Sequence, residues 1–332
     1  MKYNVLITGA SGYVGQNVLK RLHKDLEAGK IHSLVAGDIK DLPKSKQLEG
    51  VHYVKMDVTN KELWKTFEQF EITTVVHLAA ILDSQSAPRE FQYQVDVVGT
   101  QNILDACVKT GARRVIISSS GAAYGYYADN PEWLRETDPA RGNEAYPYSD
   151  HKRLIEEMLA KYRKEQPQLK QVVFRIGTVI GANTDNLITN LFEKKTVLGL
   201  AGYKSPFVFA WDEDVANAMQ YAVFSEKTGV YNLVGDGAIS NSDIAKIQGK
   251  RYLPLPAFLI KGALGVLHPL GITRYGPKQL LFLQYRPVLD NTKLKEEFGY
   301  IPEKTSLEAF TYYLRENGKQ VCNLKKIKVL KP

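Results

Sequence analysis

The 332-residue chain contains only two cysteines, Cys107 and Cys322. They can supply neither a disulfide framework nor a Cys-based zinc site, and such usage fits a reducing cytosol. Apolar runs of membrane-spanning length are also missing. The most apolar segment, Leu253 to Ile272, is broken by Pro254, Pro256, Lys261, Gly262, Gly265, His268 and Pro269. It falls short of the roughly 18 apolar residues a spanning helix needs, and reads as a buried helix of a second lobe. The opening MKYNVLITGASGYVG is interrupted at Thr8 and Gly9 before it could serve as a signal peptide. A cytoplasmic protein without stable membrane insertion is expected. Six scattered histidines show no ligand spacing, so no metal is expected. There is no internal repeat.

What is present is enough for a full core: 44% of residues are hydrophobic and 24% charged. That balance excludes wholesale disorder and a polytopic membrane protein. The length suits two lobes. The formal charge of +8 is not spread evenly, because residues 315–332 hold six basic residues against one acidic residue. The basic residues form no stripe with the 19 tyrosines, so a nucleic-acid partner is not expected. The tail reads as a solvated end, a docking segment or a weak membrane contact.

Apolar strands alternate with helices from residue 3 to 177. Strands are expected at 3–8, 33–38, 51–57, 73–80, 112–120 and 171–177, with helices after residue 13 and at 60–70, 94–110 and 151–165. This alternation implies an α/β fold, a doubly wound parallel sheet covered on both faces. The expected division is 1–178 plus about 207–226 for a dinucleotide-binding domain, and about 179–206 plus 227–314 for a smaller, interleaved C-terminal substrate lobe. Residues 315–332 form the tail.

Several residues carry chemistry. Gly9, Gly12 and Gly15 lie between the first strand and first helix, where they permit a tight turn and close approach to a pyrophosphate at a helix N-terminus. Asp38 ends the second strand, placed to meet ribose hydroxyls and to repel a 2′-phosphate. That favours NAD over NADP, although Lys40 offsets part of the repulsion. Asp57 and Val58 sit where adenine contacts belong. Ser120 ends the fifth strand, and Tyr148 and Lys152 stand one helical turn apart. An ammonium beside a phenol, with an oxidised nicotinamide above, favours the phenolate as a general base, while Ser120 donates to the same substrate oxygen. Tyr124, Tyr126 and Tyr127 are expected at the substrate mouth.

With His77-Leu78-Ala79-Ala80, V-x-G-T-x-N-I-L-D-A, S-S-S and F-R-I-G-T-V-I-G, the chain resembles the extended short-chain dehydrogenase/reductases of the NAD-dependent epimerase/dehydratase group. The resemblance spans about residues 3–312 and implies a Rossmann fold with Ser120, Tyr148 and Lys152 catalytic. It implies cofactor contacts from Gly9, Ser11, Gly12, Tyr13, Val14, Gly15, Asp38, Ile39, Asp57, Val58, Leu78, Ala79, Ala80, Asp96, Ser118, Tyr148, Lys152 and Ile176. Ser120, Tyr124, Thr178 and Asn186 would meet substrate, and a homodimer follows by analogy. Three departures stand out. Asp96 replaces the family's usual Asn, Arg175-Ile176 replaces Arg-Pro, and no Arg lies between Lys204 and Trp211 to grip a substrate diphosphate. Arg286 is the candidate guanidinium from the C-terminal lobe.

The expected activity is NAD-dependent hydride transfer, as an epimerase or dehydrogenase, on a nucleotide sugar or a less charged hydroxy compound. The alternatives are a non-catalytic dinucleotide-binding redox regulator and a membrane-surface dehydrogenase of a lipid or steroid-like alcohol.

Overall fold

The computed structural model describes residues 2–82, 87–273, 276–277 and 280–332. Strands β1 (Asn4–Thr8), β2 (Ser33–Asp38), β3 (Val51–Lys55) and β4 (Thr74–His77) alternate with helices α1 (Tyr13–Glu27), α2 (Trp64–Gln69) and α3 (Arg89–Tyr93). Then come α4 (Gly99–Thr110), β5 (Arg114–Ser120), α5 (Pro147–Glu165), β6 (Lys170–Ile176), β7 (Thr178–Ile180), α6 (Leu187–Glu193), β8 (Thr196–Leu200), β9 (Phe209–Trp211) and α7 (Asp212–Phe224). The remaining elements are β10 (Gly229–Leu233), α8 (Asn241–Ile247), β11 (Arg251–Leu255), α9 (Ala257–Leu267), α10 (Leu280–Gln284) and α11 (Ser306–Glu316).

Seven strands form one parallel sheet in the order β10-β6-β5-β4-β1-β2-β3. Strands such as Val5-Leu6-Ile7 are apolar on both faces because helices cover both. On one face α1 and α7 bury Val18, Leu22, Val215 and Met219; on the other α4 and α5 bury Ile103, Leu104, Ile155 and Leu159. Each such side chain contributes about 1.5–3 kcal/mol by leaving water. The strand order reverses between β1 and β4, which opens a crevice at their C-terminal ends.

At that switch point His77 is buried between two hydroxyls. Thr100 donates to the Asp96 carbonyl at 2.6 Å, so it accepts from His77 Nε2 at 3.1 Å. The ring is therefore the Nε2–H tautomer, and its Nδ1 accepts from Thr8 at 2.7 Å. Burial, with the Lys152 ammonium adding to it, holds His77 down to about 3.

Three features differ from the sequence reading. The sheet runs one strand past the expected boundary at about 226, because β10 pairs with β6 as its edge. The segment expected as a buried helix forms α9, and none of its residues is buried. Among the described residues β8 and β11 form a two-stranded sheet, too small to bury the helix that follows it. The basic tail is not a free end either, since Leu330 pairs with Ala238 through two 2.9 Å backbone hydrogen bonds.

Candidate active site

The turn after β1 depends on its glycines. Gly9 has φ +71°, and a Cβ there would lie 2.7 Å from the Ala79 nitrogen. A Cβ on Gly15 would lie 2.1 Å from the Gly9 carbonyl oxygen. The turn thus rests on the exit of β4, and α1 rests on the turn. Helix α1 starts after Gly12 with no side-chain cap, so the amides of its first turn offer a positive end to an anion.

Asp38 fastens the second strand to this turn, its carboxylate accepting from the Ser11 and Lys40 amides at 2.9 Å each. A cavity of about 320 Å³ opens beside it, lined in part by Ala10, Ser11, Asp38, Tyr53 and Val54. Ile39 is exposed. Asp57 accepts from the amide and hydroxyl of Thr59. Val58 turns its side chain into the core, and its carbonyl accepts from Asn102 at 2.9 Å. Leu78, Ala79 and Ala80 are half-buried beyond β4, Ile176 is buried at the end of β6, and Val14 packs on the core below the turn. Tyr13 donates to Asp212 at 2.5 Å and accepts from Thr184 at 3.0 Å, tying the turn to α7 and to the loop after β7.

The second cluster forms where β5 ends and α5 begins. Pro147 occupies the first position of α5, which extends the helix four residues before the expected start and puts Tyr148 inside its first turn. Lys152 donates to the Ser118 carbonyl at 2.7 Å, with its ammonium 5.6 Å from the Tyr148 ring centroid. Burial pushes the Tyr148 phenol up to about 12; a hydrogen bond from Ser120 opposes this, and the Asp96 charge adds to it. Burial also pulls Lys152 below the usual ammonium range, against Asp96 and Glu156. Tyr148 is therefore protonated at neutral pH in this geometry, and a cation arriving over the site would draw it toward phenolate.

Behind this cluster lies a pairing that sequence reasoning missed. Asp96, in a π-helical turn Gln94–Val98, accepts from the Ile81 amide at 2.8 Å, and its other oxygen lies 3.0 Å from His151 Nδ1. Both side chains are buried, and His151 Nε2 has no partner among the described residues. Asp in place of Asn was the available signal, since a buried extra charge requires a partner.

Across the cleft, Arg286 donates to Thr178 at 2.7 Å and lies against the rings of Phe207 and Phe282, 3.8 and 4.2 Å from their centroids. Its Nη1 is closed off and unpartnered among the described residues. Burial lowers the guanidinium to about 9, so it remains a cation at neutral pH. Tyr126 connects the two sides: its ring packs edge-on to Phe282, and its hydroxyl feels both Arg286 and Tyr148.

Two expected substrate contacts are corrected. Tyr124 is fully buried, with its hydroxyl shared between the Arg135 carbonyl and the Asn232 side-chain oxygen at 2.9 Å each, so it does not line the mouth. Its ring lies beneath Arg175, which is itself locked to Glu156. Asn186 is the N-cap of α6, accepting from the Ile188 and Thr189 amides at 2.9 Å. That carboxamide is occupied by its own helix.

The model of the NAD dependent epimerase/dehydratase family matches residues 5–233. An uncharacterised protein of Mycobacterium tuberculosis is 25% identical over 320 residues, covering 95% of this chain and 84% of the relative. The N-acetyl-alpha-D-glucosaminyl-diphospho-ditrans,octacis-undecaprenol 4-epimerase of Escherichia coli O157:H7 is 28% identical over 279 residues, covering 80% and 78%. Among solved structures, the UDP-glucose 4-epimerase of Thermus thermophilus in complex with NAD superposes with a TM-score of 0.70 at 23% identity, covering 95% of this chain and 98% of that one. The Thermotoga maritima UDP-glucose 4-epimerase with UDP-glucose gives 0.72 at 20% identity, covering 96% and 99%.

Proposed function

The chain belongs to the NAD-dependent epimerase/dehydratase family, and on that premise we propose that it oxidises a secondary carbinol of a sugar carried on a diphosphate, with NAD as cofactor. The observation that carries the reading is the convergence of Ser120, Tyr148 and Lys152 where β5 ends and α5 begins, with a buried Arg286 on the far side of Tyr126.

The residues fit a dinucleotide. Gly9 and Gly15 let the turn close tightly between β4 and α1, and the uncapped start of α1 faces a diphosphate's charge. Asp38 stands by the adjoining cavity, suited to ribose hydroxyls and opposed to a 2′-phosphate. NAD supplies a hydride acceptor when bound.

Tyr148, as phenolate, takes the proton of the substrate hydroxyl, and Ser120 donates a hydrogen bond to the same oxygen. Lys152, anchored on the Ser118 carbonyl, holds positive charge near the phenol ring and favours the ionised form. Arg286 supports the diphosphate class. An unpartnered guanidinium N–H in a ring-lined cleft calls for an anion, and the chain lacks the Arg usually placed before β9. The Thermotoga enzyme's UDP-glucose and the Escherichia relative's lipid-linked sugar share that diphosphate.

Calorimetry of the NAD-loaded protein with UDP-glucose, UDP and an undecaprenyl diphosphate sugar tests this reading. At least one should bind, and Arg286→Lys should weaken it about 10-fold to 100-fold, the worth of a charge-assisted hydrogen bond. Binding of none of the three, or equal binding by the variant, would overturn the diphosphate assignment.

A further inference from the structure

Helix α9 is the reverse of an ordinary surface helix. It turns no residue into the core, and apart from Lys261 its exposed positions are apolar. Phe258 is 72% exposed, Val266 62% and Ile272, just beyond the helix, 68%; Leu259 and Leu270 are exposed beside them. Leu259 and Val266 are seven residues apart, so they project from the same side of the helix. Lys261 is the single Lys, Arg, Asp or Glu from Tyr252 to Thr273. A soluble surface seldom leaves such a cluster uncovered.

Positive charge lies at one end of the patch. Arg251 opens β11, which runs through Pro254 directly into α9, and Lys261 rises from the helix itself. The pairing of Leu330 with Ala238 brings the basic tail to this end of the lobe. Lys328 and Leu330 there line a cleft of about 470 Å³ together with Lys204, Tyr252 and Pro254. The acidic residue on that cleft, Asp243, is spent on Lys246 at 2.8 Å. Lys325, Lys326, Lys328 and Lys331 are all exposed. Exposed apolar side chains with lysines at one end complement an anionic lipid surface, where the rings and branched chains enter the headgroup region and the ammonium groups meet phosphates.

We propose that α9 and the basic tail dock this protein peripherally on anionic membranes. The helix lies in the plane of the surface. Its eleven residues span about 16 Å, half of what a crossing requires, and no described helix is long and apolar enough to cross. The docking uses no residue of the catalytic cluster and does not depend on the diphosphate reading.

Co-sedimentation with vesicles tests the proposal, comparing pure phosphatidylcholine with phosphatidylcholine containing about one third phosphatidylserine. The protein should partition onto the anionic vesicles at least about 10-fold more strongly, and added salt should reverse much of this. Phe258→Glu with Val266→Glu should abolish the partitioning, and Lys325→Glu with Lys328→Glu should weaken it about 10-fold or more. NAD binding serves as the check that each variant is folded. No partitioning at low salt, or partitioning that ignores both pairs of substitutions, overturns the proposal. So does a stable dimer, seen by sedimentation velocity, that ignores vesicles and that Phe258→Glu separates, for a second copy would then own the apolar face.

Discussion

Asp96 meets His151 through a 3.0 Å contact directly behind Tyr148 and Lys152, with both partners sealed from solvent. Its charge raises the Tyr148 phenol and supports the Lys152 cation. Asp96→Asn keeps the acceptor for the Ile81 amide but removes the charge. The phenol pKa should then fall, so the limb of kcat/KM that rises with phenolate should move to lower pH. A purely structural role would leave the profile in place and change only stability. His151→Ala leaves a buried carboxylate short of its partner and should cost about 3–5 kcal/mol in urea unfolding.

Tyr148→Phe removes the proton-accepting oxygen but keeps the ring under Lys152. Turnover should drop about 10²-fold to 10⁴-fold, while NAD affinity by calorimetry stays nearly the same. Undiminished turnover would move the base elsewhere.

His77 makes folding sensitive to acid. Its folded pKa of about 3 lies below the unfolded value of about 6.5. The unfolded chain therefore binds the extra proton between those values, and the stability from neutral His77 is complete above about pH 6.5 and lost as pH falls toward 3. The full linkage amounts to about 5 kcal/mol. His77→Gln removes this titration, so its stability deficit against the parent should shrink between pH 7 and pH 4 in denaturant melts. A deficit that stays constant across that range would contradict the linkage.

The sheet was legible because its strands carry continuous apolar runs and its helices a clean 3.6-residue stripe, as at Val14, Val18, Leu19 and Leu22. Tyr148 and Lys152 were legible for the same reason, since one helical turn fixes their neighbourhood whatever surrounds it. Contacts across long stretches of chain were not. Asp96 and His151 are 55 residues apart, and Arg286 reaches Thr178 over 108. Tyr124 sits in a four-residue 3₁₀ turn, too short for any periodicity to reveal that it faces inward. Asn186 could have been read correctly, because Asn-Leu-Ile-Thr places a capping side chain three residues before a partner that bonds back to it. Helix α9 misled for a different reason: apolar composition predicts burial only when something else in the fold is available to cover it.

The π-helical turn at Gln94–Val98 carries one residue more than an α-helix would hold over the same rise. Deleting a single residue there would let the segment relax to ordinary winding with the helix on either side still in phase, so the side chains within the turn itself would change direction. Asp96 would leave His151 although neither residue had been replaced. The charge behind Tyr148 is thus stored in the winding of a helix as much as in the identity of a side chain, and an insertion or deletion can switch it off as completely as a substitution.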